Sequence, residues 1–113
     1  MNCVIRGYVL YDHAMPSMQL DLQEGFNNDV VEVYVNGAKA LEKEGVTTKR
    51  MLGLASSSEI DVPDGALDIE VRVPTKNLAK TFSVESSDTP NLGISIHNGE
   101  LKIITSQRRF GYA

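Results

Sequence analysis

The sequence predicts an all-β protein, an antiparallel β-sandwich of about eight short strands. Three observations carry that expectation. The run Ile94-Ser95-Ile96-His97-Asn98-Gly99-Glu100-Leu101-Lys102-Ile103 sets an Asn-Gly pair between two alternating segments. Asn-Gly supplies the two positive-φ positions of a type I′ turn, whose twist suits paired antiparallel strands. Leu67, Ile69, Val71 and Val73 alternate with Asp68, Glu70 and Arg72, the period-two pattern of a half-buried strand. Turn signals recur about every 8–12 residues with no long helical period, which excludes a parallel βαβ fold.

The elements follow in order. Residues 4–11 (VIRGYVLY) read as a strand with Gly7 as a bulge or close approach, and Asp12 to Pro16 as a loop. Met18, Leu20 and Leu22 alternate with Gln19, Asp21 and Gln23 in a short, half-exposed strand. After a turn-rich Glu24–Asn28, Val31, Val33 and Val35 share one face of the next strand. Asn36-Gly37 then offers a second type I′ turn, pairing Val35 with Ala38, Tyr34 with Lys39 and Val33 with Ala40. A helical turn over Ala38–Glu44 competes by propensity, but so short a helix is unstable alone, and the hairpin is the expected form.

From Gly45 to Ser58 the pattern is poor, and Ser56-Ser57-Ser58 reads as loop. Ile60 and Val62 form a short strand ending at Pro63-Asp64-Gly65, the chemistry of a type I turn with a G1 bulge. Pro74–Asn77 is another turn, and Phe82 and Val84 mark a further strand. In the closing hairpin, a two-residue loop puts His97 opposite Glu100, Ile96 opposite Leu101, Ser95 opposite Lys102 and Ile94 opposite Ile103. Ile94, Ile96, Leu101 and Ile103 then face the core, and the polar four face outward.

The residues 33–37 (VYVNG) and 62–73 (VPDGALDIEVRV) resemble PEGA-type and carboxypeptidase-regulatory-like β-sandwich modules. Those families show a Val-Tyr-Val-Asn-Gly hairpin followed by a Pro-x-Gly turn into an alternating strand. The resemblance covers about residues 30–74 and implies an Ig-like or transthyretin-like sandwich. It implies a non-catalytic envelope or accessory role and brings no active-site residues.

A chain of 113 residues fits one domain, expected over 1–106 with a C-terminal tail at 107–113. The net charge of −4 argues against attraction to nucleic acid or anionic lipid, since both need a positive field, and no apolar run approaches the length needed for membrane insertion. Cys3 is the only cysteine, which excludes an intrachain disulfide and a thiolate-built zinc site. The start lacks the long apolar core of a secretory signal. The expected location is cytoplasmic if the chain is complete, or the envelope if an export signal has been removed.

No catalytic constellation emerges. Asp12-His13 lies near serines without a Gly-x-Ser-x-Gly elbow, so a hydrolase using His13 is the weakest of three readings. His97, opposite Glu100, reads as a cross-strand polar pair. Asp12, Asp21, Asp29, Asp61, Asp64 and Asp68 are turn and loop acids rather than a metal-ligand set, and no cofactor or metal is expected. Lys39, Lys43, Lys49 and Arg50 read as solvated charges. The tail carries Arg108, Arg109, Phe110 and Tyr112, residue types that anchor interfaces. It either frays after the last strand or orders against the domain or a second copy. The leading expectation is a non-catalytic module that binds another protein or itself through this tail or its strand edges. The alternative is a calcium-dependent or carbohydrate-type ligand-binding domain using the loop acids with Tyr8, Tyr11 or Tyr34.

Overall fold

The structure, a computed structural model, describes residues 16–112. The expected strand at 4–11, together with Cys3, Tyr8, Tyr11, Asp12 and His13, lies outside the described residues. Eight strands follow: β1 (Ser17–Leu22), β2 (Asp29–Val35), β3 (Ala38–Val46), β4 (Ser56–Asp61), β5 (Ala66–Val73), β6 (Leu78–Glu85), β7 (Asn91–His97) and β8 (Glu100–Ser106). They form two four-stranded sheets, β4-β1-β7-β8 and β3-β2-β5-β6. The fold is the expected all-β sandwich.

Its core is set by the period-two faces. Met18, Leu20, Leu22, Ile60, Leu92, Ile94, Ile96 and Leu101 from one sheet meet Val31, Val33, Val35, Leu67, Ile69, Val71 and Val73 from the other. The apolar face of β5 is fully enclosed, while Asp68 and Arg72 stay exposed. Burying such side chains contributes about 1.5–3 kcal/mol each relative to leaving them in water. Both Asn-Gly turns have the required left-handed residues, at φ 51° and 85° for Asn36-Gly37 and 51° and 76° for Asn98-Gly99. The β7–β8 register matches the expected pairing throughout.

Five details depart from the sequence reading. First, β1 and β7 run parallel, with Asp21 beside Gly93 and Leu22 beside Ile94. No turn chemistry encodes this pairing, because the partners lie about seventy residues apart in the chain and no short connection fixes their register. Second, Val33 pairs with Leu41 rather than Ala40, after a register shift. The bulge turns the larger apolar residue inward, and Leu41 packs against the core.

Third, Ser56–Ser58 is strand, not loop, pairing with Leu22, Asp21 and Leu20 of β1. Serine carries little strand signal, but β1 supplies a ladder and Asp21 a hydrogen-bond acceptor for Ser57. Fourth, Pro63-Asp64-Gly65 joins no hairpin. It carries the chain from β4 in one sheet to β5 in the other. Ser86 closes the corner, its Oγ accepting from the Gly65 N–H at 2.9 Å. Fifth, Ser95 is buried although it points away from the core. Something covers the outer face of this sheet.

Candidate interaction surface

The cover is partly the C-terminal tail. On the outer face of the β4-β1-β7-β8 sheet, β1 presents Gln19 and Asp21, with Gln23 just beyond its end, and β7 presents Gly93 and Ser95. The Gln19 amide donates to Ser57 Oγ at 2.6 Å, and Ser57 Oγ donates to Asp21 Oδ1 at 2.6 Å. The Tyr112 hydroxyl donates to Asp21 Oδ2 at 2.7 Å and accepts from the Gln23 amide at 2.9 Å. Ser95 Oγ donates to Gln23 Oε1 at 3.2 Å. Asp21 is 1% exposed, so this chain of bonds is what makes a buried carboxylate tolerable.

Gly93 makes the network possible. A Cβ there would lie 2.8 Å from Gln23 Nε2 and 3.0 Å from its Cδ, so only glycine lets the Gln23 side chain lie across β7. Burial, reinforced by the Asp21 carboxylate, pushes the Tyr112 phenol up to about 12, although the Gln23 bond opposes it.

Beside this network the chain builds an end loop. Lys49 and Leu54 form an isolated bridge, and the N–H groups of Leu52 and Gly53 both donate to the Lys49 carbonyl. The loop holds Met51 and Leu52 outward at 89% and 39% exposure, and Ile104 of β8 is 41% exposed. These are the large apolar side chains left exposed among the described residues. Two of the three meet. Leu52 and Ile104 line a cleft of about 310 Å3 with His97, Gly111 and Tyr112. Glu24 and Gly53 separate it from a second cleft of about 500 Å3 that reaches Arg50, Thr47 and Asn27.

Of the expected site residues, Tyr112 is on this surface. Arg109 is close enough to act electrostatically on its phenol. Phe110 is half-buried, and the Arg108 N–H donates to Ser106 Oγ at 3.0 Å. His97 is in register with Glu100, but its Nε2 faces Glu24 Oε1, at 3.7 Å. The acids do not converge. Asp21 is in the network above, Asp64 accepts from Ser86, and Asp68 accepts from Ser83. Asp29 is clamped by Lys76, Thr75 and the Asn27 N–H. Among the described residues no three His, Cys, Asp or Glu side chains form a group that could hold a metal ion.

Sequence reasoning missed Met51, Leu52 and the role of Gln23. The pair Met51-Leu52 was legible in one respect: two adjacent large apolar residues with no strand period cannot both face a core. Nothing local marks Gln23, whose partners are far away in the chain. No protein-family model, curated protein or solved structure matches this chain.

Proposed function

We propose that this protein is a non-catalytic β-sandwich module that works by binding another protein through its loop end. The observation that supports this reading is the meeting of Leu52 and Ile104 beside Tyr112, with the exposed Met51 next to Leu52 in the chain. Exposed large apolar side chains gathered at one place, with polar groups around them, are the mark of an interaction site. The strand edges offer less. Lys80 of β6 reaches the Leu101 carbonyl of β8 at 3.5 Å, and the edge strand β3 carries Lys39, Glu42, Lys43 and Glu44. Charges on edges discourage strand addition.

The test is a photo-crosslinking amino acid placed at Met51, and separately at Ser83 on the opposite sheet, in the native host. Discrete adducts from Met51 that vanish with Leu52→Asp, and none from Ser83, are expected. Equal background labelling from both positions overturns the reading.

A further inference from the structure

We infer that the partner at this surface is an acidic segment of another protein, extended and carrying apolar side chains between its carboxylates. This inference rests on the proposed binding role and adds the chemistry of the partner. Lys49 and Arg50 immediately precede Met51 in the end loop. Lys102 stands opposite Ser95 on the same outer face as Ile104, and Arg109 lies near Tyr112. None of these four cations has a carboxylate within 4.0 Å among the described residues. Glu24 is the one acid among the described residues lining the two adjoining clefts. A chain of net charge −4 therefore concentrates, among the described residues, unmatched positive charge around its exposed apolar cluster. Unmatched charge around an apolar centre steers a complementary partner and fixes its register.

Shape favours a peptide over a membrane surface. Two adjoining clefts offer room for side chains, which a flat layer of headgroups would leave unfilled. The protein's own tail supplies a precedent. Beyond Ser106 it crosses this face without regular structure and seats Tyr112 by two side-chain hydrogen bonds.

The full chain is titrated with three labelled synthetic peptides of alternating sequence, Asp-Leu, Ser-Leu and Lys-Leu, and with phosphatidylserine–phosphatidylcholine vesicles. The Asp-Leu peptide is expected to bind at least about tenfold tighter than the Lys-Leu peptide at low salt, and to weaken as salt screens the charges. Arg50→Glu with Lys102→Glu should remove most of that preference without moving the melting midpoint. Should the double variant not fold, the salt series and the three peptides on the unaltered protein decide the matter alone. Equal affinity for the three peptides overturns the inference. So does binding to anionic vesicles with no peptide preference, which would make a membrane the occupant. Crosslinks from Met51 that persist while the Asp-Leu peptide fails would overturn the partner class and leave the binding role standing. Loss of both would end both.

Discussion

On the outer face of the β3-β2-β5-β6 sheet, the cations Arg72 and Lys39 both have carboxylate partners. Arg72 meets Glu70 at 3.0 Å and lies over the Tyr34 ring, 4.7 Å from its centroid. Lys39 contacts Glu42 at 2.8 Å and Glu32 at 3.8 Å. At the loop end of the other sheet, Lys49, Arg50, Lys102 and Arg109 have no such partner among the described residues. Exposed ion pairs contribute little to stability. Their lesson is about recognition: a face whose cations are already matched has little left to offer an acidic partner. The unmatched end, with its apolar centre, keeps its interactions available.

The comparison can be broken first through the sheet that carries the matched face. Ile69→Asp should unfold the domain, because a carboxylate in that core costs on the order of 4–5 kcal/mol. Glu70→Lys, one residue away and facing out, should cost under about 1 kcal/mol. Thermal melting of both variants checks this, and similar shifts would show the assigned face to be wrong.

Asp29 offers the next largest effect. It is buried at the start of β2 and tied to the short 3-10 turn Pro74–Lys76. Burial alone would raise its carboxyl, but hydrogen bonds from Lys76, Thr75 and the Asn27 N–H, with the Lys76 charge, hold it below its ordinary 3.8. A lowered folded value means the stabilisation is present above that ordinary value and lost as pH falls through the lowered one. Asp29→Ala should cost about 3 kcal/mol at neutral pH and flatten this acid limb of the stability curve, read by urea melts across pH.

Gly93→Ala should cost about 1–2 kcal/mol by displacing Gln23 from Ser95 and Tyr112. An unchanged melt would show that Gln23 has another resting place. Tyr112→Phe should cost about 1 kcal/mol. Because the folded phenol is pushed up to about 12, the Tyr112 contribution persists below the ordinary value of 10 and fades as pH rises from there towards 12. Alkaline melts of the two proteins should therefore converge. Smallest of all, Met51→Ser and Leu52→Ser should leave stability within about 0.5 kcal/mol. A marked loss would mean that the cluster supports the fold and is not held in reserve for a partner.

What was legible in the chain was legible because it is local. Asn98-Gly99 and Asn36-Gly37 demand left-handed backbone wherever they occur, and the β5 alternation faces one way in any half-buried sheet. The interaction surface was legible only in fragments: the tail residues, and an apolar pair without a period. The Gly65 corner shows the boundary well. Gly65 has the expected positive φ, at 106°, but whether a turn returns along one sheet or crosses to the other depends on which strand accepts its hydrogen bonds.

By itself, then, the sequence determined the alternating faces of β2, β5 and the closing hairpin, the two Asn-Gly turns and, among the described residues, the lack of a long helix, since each follows from steric preference and burial period within a few residues. Tertiary structure alone decided the parallel pairing of β1 with β7, the bulge that brings Leu41 inward, and the meeting of Asp21, Gln23, Ser95 and Tyr112. It also decided that Leu52 and Ile104, some fifty residues apart, would share one cleft. These depend on contacts between distant segments, whose energies exist only once the two sheets have packed.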